Sequence, residues 1–340
     1  MLLKELMDIT GTSGNEQEVR NFIYKEIKKY VTDIKVDKFG NLIAHKKGKG
    51  PTVLLASHMD EVGLMIKNIS ERGTIACSQI GGLEPLSLIG ERVLIKTKKG
   101  NLQGVLTIHE VSDAEDVTTL PKLQDLFVDT GMSKKELMKY GVEIGNFLQL
   151  IQETTTLGNK DFILGKALDD RVGCYILIEL AKRLKKTSSD VYFVFTVQEE
   201  VGLYGAKTSL YNLNPDWAVV VDVTNADDAR EHPHEATKVV GGGPCITVKD
   251  ADMISNVCID EWLKEIAAKE KIKIQLEVSD IGTTDALSIS VSKGGIPTAV
   301  VGPAVRNLHT TAGVASLKDI EQTIRLLAEL IKNHPQKCIV

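Results

Sequence analysis

The sequence predicts an α/β layer fold interrupted by an inserted β-rich domain, and two observations carry that expectation. Strand-length apolar runs alternate with helical stretches along most of the chain. Between about 67 and 161 that rhythm gives way to short β-type pieces. At 340 residues the chain also exceeds one typical domain. Residues 1–66 and 162–340 therefore read as one discontinuous α/β domain, and 67–161 as the insertion.

The elements follow in order. After Ser13-Gly14-Asn15, residues Val19, Phe22, Ile23, Ile27 and Tyr30 fall at helical spacing and predict an amphipathic helix. The runs 52–57, 191–197, 217–223 and 296–301 are rich in strand formers and predict buried strands. Helices are expected over 172–186, 255–269 and 316–333, the last opening on a Ser316-x-x-Asp319 arrangement that can cap it. Within the insertion, 93–97 and 102–108 flank a Lys98-Lys99-Gly100-Asn101 turn, and 133–140 is its helix. The insertion has few His, Asp or Glu in metal-binding spacing, so it reads as serving assembly or access rather than chemistry.

Composition excludes several roles. A net charge of -5 with 26% charged residues gives no sign of a nucleic-acid surface. The apolar runs 191–197 and 217–221 fall far short of the roughly 20 residues a membrane span needs. Lys4, Glu5 and Asp8 break up the apolar start, which therefore does not read as a secretory signal, and a cytoplasmic chain is expected. Five cysteines (Cys77, Cys174, Cys245, Cys258 and Cys338) lack paired spacing and read as reduced structural thiols.

In an α/β sheet, ligands for a hydrolytic metal belong at the carboxyl ends of strands, where loops converge on one crevice. His58 and Asp60 follow the strand 52–57, Glu199 and Glu200 follow Val197, Asp222 ends the strand from Trp217, and His309 lies beyond 296–301. Asp169 and Asp170 add a carboxylate pair at the start of a predicted helix. Each alone has an ordinary explanation: a satisfied polar histidine, a solvated edge, a helix cap opposing the dipole. Together they form an inventory for two metals, because strands that repeatedly end in acids are costly to bury unless a cation compensates them.

The motifs HMDEVG (58–63), GKALDDRVG (165–173), QEEVGLYGA (198–206), VDVT (221–224) and GTTDA (282–286) give the chain a resemblance over essentially its full length. It resembles the tetrahedral aminopeptidase family, whose members are also called glutamyl or deblocking aminopeptidases and sometimes cellulases. The resemblance implies a mixed-sheet, two-metal exopeptidase catalytic domain with a small inserted β dimerisation domain. It also implies that His58, Asp169 and Asp222 hold one metal, and that Asp169, Glu200 and His309 hold the other, with Asp169 bridging. Glu199 matches the general base and Asp60 the carboxylate that orients His58. A cis peptide between Asp169 and Asp170 is implied too.

Three departures stand out. Thr310-Thr311-Ala312-Gly313 replaces the family's Ser/Thr-Pro-Val-Glu run, the stretch at Gly81-Gly82-Leu83-Glu84 lacks its Trp-Asp, and 108–118 does not match its loop.

The expected activity is removal of amino-terminal residues from small peptides. Two divalent ions roughly 3.5–4 Å apart, zinc or cobalt, lower the pKa of a shared water toward ~7, and Glu199 accepts its proton. The bare inventory would serve a carboxypeptidase, dipeptidase or deacetylase equally, and Arg171 or Arg306 clamping a terminal carboxylate would favour those rivals. A glycosidase would leave two histidines and Asp169 idle, and a scaffold would not need the full set. Relatives assemble from dimers into twelve-subunit shells, so a homo-oligomer, a dodecamer, is expected, with neither nucleic acid nor membrane as partner.

Overall fold

In the computed structural model, which describes residues 1–108, 120–185, 187–229, 237–334 and 338, the main core lies on an eight-stranded sheet. The amino-terminal segment supplies α1 (Leu2–Asp8), α2 (Gln17–Ile27), β1 (Asp33–Val36), β2 (Leu42–Lys46) and β3 (Thr52–His58). Helix α2 forms where expected because Val19, Ile23 and Ile27 recur on one face, and all three are buried. Along β3, Val53 and Leu55 enter one apolar cluster while Leu54 and Ala56 enter another on the opposite face. A strand covered on both sides reads as a continuous apolar run for this reason.

The chain then leaves the sheet for β4 (Gly63–Ile69), β5 (Ile75–Ile80), β6 (Arg92–Thr97), β7 (Gly100–Ile108), β8 (Leu126–Asp129), α3 (Lys134–Tyr140) and β9 (Phe147–Leu150). The six strands close into a barrel in the order β4-β5-β8-β7-β6-β9. Leu64, Ile75, Val93, Ile95, Val128 and Leu148 fill it, a core separate from that of the sheet. Its β6–β7 hairpin turns at Lys98 and Lys99, with Thr97 opposite Gly100 at φ 132°. Beyond Ile108, the loop expected to differ from the family at 108–118 lies outside the described residues.

The remaining chain adds β10 (Thr155–Thr156), β11 (Phe162–Gly165), α4 (Leu168–Arg183), β12 (Asp190–Thr196), α5 (Tyr204–Ser209), β13 (Trp217–Val221) and β14 (Thr224–Asn225). It ends with β15 (Cys245–Lys249), α6 (Val257–Glu270), β16 (Gln275–Val278), α7 (Asp285–Ser290), β17 (Thr298–Gly302), β18 (Ala304–Arg306), β19 (Gly313–Ser316) and α8 (Leu317–Lys332). The large sheet runs β1-β2-β12-β3-β13-β17-β15-β16. Its centre, β12-β3-β13-β17, is parallel, while β2 and β15 join it antiparallel, so the sheet is mixed. A second sheet, β10-β11-β19-β18-β14, stands beside it. The strand expected at 296–301 begins at Thr298, after Pro297, which has no N–H for the ladder. Helix α8 is capped as its sequence predicts, with Ser316 Oγ accepting from the Asp319 N–H at 3.2 Å.

The cysteine expectation needs correction. Cys77, Cys174 and Cys245 are buried free thiols, but Cys258 and Cys338 form a disulfide. Eighty residues separate the pair, so no local spacing could reveal it. Packing of α6 against α8 brings the two ends together, and Trp262 Nε1 donates to the Asn333 carbonyl nearby.

Closing so long a loop restricts the unfolded chain by roughly 4 kcal/mol in the chain-entropy picture. Unfolded without reductant, the protein is expected to show three reactive thiols, and five after reduction. Cys258→Ser is expected to lower the melting temperature of the unreduced protein and leave that of the reduced protein unchanged. Five thiols without reductant would remove the cross-link.

Candidate metal centre

The parallel strands converge at their carboxyl ends on one crevice. His58 closes β3, Glu199 and Glu200 follow β12, Asp222 follows β13, and His309 lies between β18 and β19. Seven non-glycine residues have positive φ among those described, and five of them (Ala167, Gln198, Leu203, Asn307 and His309) flank these side chains. Such backbone persists where the surroundings over-determine it, as at a site.

Asp169 and Asp170 begin α4 with non-helical dihedrals, joined by a cis peptide as the resemblance implies. Their roles divide. Asp170 is a cap: its Oδ1 accepts from the Gly173 N–H at 2.9 Å and its Oδ2 from the Ser57 hydroxyl at 2.6 Å. Asp169 points into the crevice instead, where Oδ1 lies 2.9 Å from His58 Nε2 and Oδ2 lies 3.3 Å from His309 Nε2. His58 Nε2 also stands 3.9 Å from Asp222, and His309 Nε2 stands 3.4 Å from Glu200. Two donor groups result, His58 with Asp169 and Asp222, and Asp169 with Glu200 and His309, each with its ligand atoms within 4.8 Å of one another.

The electrostatics fit cations. Burial, and then the nearby Asp170, push the Asp222 carboxyl well up. Burial and the Asp169 charge raise Glu200 to about 8. Glu199 is carried well above the carboxylate range by burial, with Asp285 and Glu200 adding to it. Burial alone would lower both histidines, yet the Asp169 bond lifts His309 to about 9, and the Asp169 bond with the nearby Asp60 carboxylate lifts His58 well above its usual value. One Glu200 oxygen, Oε1, is buried without a hydrogen-bond partner. Imidazole and carboxylate donors crowded like this, with an acceptor to spare, suit divalent ions.

Asp60, fully buried, ties the pieces together. Its Oδ1 lies 3.5 Å from His58 Nδ1 and accepts from the Glu199 N–H at 3.1 Å. Its Oδ2 accepts from the Ser13 hydroxyl at 2.6 Å and the Glu200 N–H at 3.2 Å. His58, Asp169, Glu200, Asp222 and His309 thus stand together at the strand ends with Asp60 behind them, whereas Asp170, also singled out in the sequence, caps α4 instead.

Others were missed. Asp285 is buried and accepts from the Thr196 hydroxyl at 2.5 Å beneath the site; its only sequence signal was a place in the GTTDA motif. Glu61 accepts from Lys166 Nζ at 2.6 Å, with an Arg171 nitrogen 3.4 Å away, and Glu61 and Lys166 line the cavity that Asp169, Glu200 and His309 share. Thr310 and Thr311, in the departing segment, line an adjoining cavity with Glu84 and Arg306.

A family model described as M42 glutamyl aminopeptidase matches residues 40–326. A protein of Acetivibrio thermocellus that bears a provisional aminopeptidase name is 41% identical over 331 residues, 97% of each chain. Among solved structures, an aminopeptidase from the archaeon Desulfurococcus kamchatkensis superposes with a TM-score of 0.95 at 34% identity, covering 99% of this chain and 95% of its own. The TET1 peptidase of Pyrococcus horikoshii, described as assembling into a tetrahedron or a large octahedral shell, gives 0.86 at 32% identity, covering 97% and 98%. With a matching family model over most of its length and relatives that align end to end, this chain belongs to the M42 glutamyl aminopeptidase family of peptide hydrolases.

Proposed function

We propose that the chain is a metal-dependent aminopeptidase that removes amino-terminal residues from short unfolded peptides, with Glu199 as the general base. One observation carries this reading: Asp169 turns one oxygen to each of two histidines, and each histidine has a carboxylate of its own. His58, Asp169 and Asp222 would hold one divalent ion, and Asp169, Glu200 and His309 the other, zinc or cobalt by donor type. Bound there, such ions supply Lewis-acid activation of water and of the scissile carbonyl. Glu199 takes the proton from the attacking water and delivers it to the departing amine nitrogen. Asp60 holds His58 and, through the Glu199 and Glu200 amides, the turn that carries the base.

The position of the arginines favours the amino end. Arg171 is fully buried and donates to the carbonyls of Leu6, Ile9 and Met59. Arg306 is paired with both oxygens of Asp228. Neither is free to clamp a terminal carboxylate, as a carboxypeptidase would need.

The two sheets with their helices are assigned catalysis, and the inserted barrel, Gly63–Leu150, is assigned dimerisation within a cytoplasmic dodecamer. The shells described for the TET1 peptidase support that assembly. Light scattering is expected to give about twelve times the 37.2 kDa chain mass, and a mass near one chain would overturn the assembly.

Glu199→Gln is expected to lower kcat about 10²–10⁴-fold while retaining both metals. The wild type is expected to cleave an aminoacyl nitroanilide and to leave its amino-acetylated counterpart intact. Equal cleavage of both, or a fully active Glu199→Gln, would contradict the mechanism. Asp60→Asn, which weakens the hold on His58 without touching a substrate, is expected to cost about 10–100-fold in metal affinity or activity. A variant with wild-type zinc content and rate would show that His58 is oriented by other means.

A further inference from the structure

The two histidines of the centre are not held in the same way. His58 has the buried Asp60 Oδ1 3.5 Å from its second ring nitrogen, long for a hydrogen bond but the carboxylate neighbour that commonly orients a ligating imidazole. His309 has no such partner among the described residues: its Nε2 faces Asp169 and Glu200, it is one-third exposed, and its backbone sits at φ 59° in a loop. What lies against its other side is main chain from the inserted barrel.

After β5 the barrel chain passes through Gly81 and Gly82 before Leu83 buries itself in the barrel core. A β-carbon built on Gly82 would stand 3.2 Å from His309 Nδ1 and 3.5 Å from Cε1. One built on Gly81 would stand 2.7 Å from Val62 Cγ1, 3.2 Å from Glu200 Cβ and 3.3 Å from Glu200 Oε2. The loop therefore rests on the two side chains that, with Asp169, would hold the second cation. Gly81 needs glycine for its own backbone, at φ 75°. Gly82 has no such need, so what its missing side chain provides is room.

We infer that Gly82 is a positioning residue: the β5–β6 loop of the inserted barrel is the wall that sets His309 and Glu200, taking the place that Asp60 holds for His58. This rests on the two-cation reading above. Ligand side chains must be held within about 0.5 Å of their productive place. A methyl at Gly82 displaces the imidazole by a few tenths of an ångström and a valine by more, so the second site weakens while the first, ordered by Asp60, does not.

The test is zinc titration by calorimetry into the chelator-stripped full chain, with the melting of the metal-free protein as the structural readout. The wild type is expected to bind two ions. Gly82→Ala is expected to bind one as tightly as wild type and the other about tenfold or more weakly, with Gly82→Val weaker still, as second-sphere supports of a metal usually behave. Gly158→Ala, where an added carbon meets nothing within 4 Å, is expected to match wild type. All variants are expected to melt with the wild type when metal-free. A wild type that binds other than two ions defeats the two-cation reading itself. A wild type that binds two, with Gly82→Val binding both equally tightly, overturns the wall while leaving that reading intact. Weakening of both sites together with a lower metal-free melting point also overturns it, since the effect would then be general.

Discussion

The crowding of buried acids at one end of the sheet is the constraint on which the rest of this structure depends. Asp60, Glu199, Asp222 and Asp285 are buried, and Asp169 and Glu200 face into the same crevice. No described lysine or arginine reaches Asp169, Glu199, Glu200 or Asp222 within salt-bridge distance; their charged neighbours are histidines. Leaving an ionised carboxylate dry and unpaired is among the costliest acts in folding, and the usual escapes are to bind a proton or a cation. Here burial drives Glu199, Glu200 and Asp222 all upward, so their charged forms call for compensation. The cations a few residues away are spent elsewhere: Lys166 and Arg171 compensate Glu61 and tie down Met59 and the amino-terminal turn.

How much of this could be read beforehand follows from the physics of each element. The central strands were legible because helices cover both faces, and burial on both sides forces unbroken runs such as 191–197. Helix α8 was legible because its stripe and its cap agree. The edge strands and the small second sheet were not. Two-residue strands such as β10 and β14 carry no period, and β16 pairs on one side only and leaves Leu276 and Val278 exposed. Barrel closure was likewise invisible, since register between strands distant in sequence leaves no local mark. The disulfide hid for the same reason.

The site was legible jointly and illegible residue by residue. The pair at 169–170 shows why, because its two carboxylates part: Asp170 caps the helix while Asp169 faces the histidines. Chain spacing cannot separate two adjacent carboxylates; the backbone turn between them does. Ser13 and Asp285 were missed on the same ground. They act by hydrogen bonds to Asp60 and Thr196, and a hydroxyl or acid that supports another side chain has no spacing of its own.

The insertion point itself argues that the barrel is more than an appendage. The chain enters β4 at Gly63, directly after His58, Asp60 and Glu61, so the barrel is tethered to the strand end that carries a ligand. It returns to the centre at two further places. Phe147 of β9 lies against Gly14, beside the Ser13 that donates to Asp60, and the loop after β5 lies against Glu200 and His309. Lys96 of β6 bridges to Glu18 and Thr10 on the other side. A unit so placed cannot shift without moving groups around both donor sets. Whatever fixes the barrel in an assembly therefore also fixes the centre, which gives a physical reason for a β-rich module, almost without metal-binding spacings of its own, to be carried inside a hydrolase.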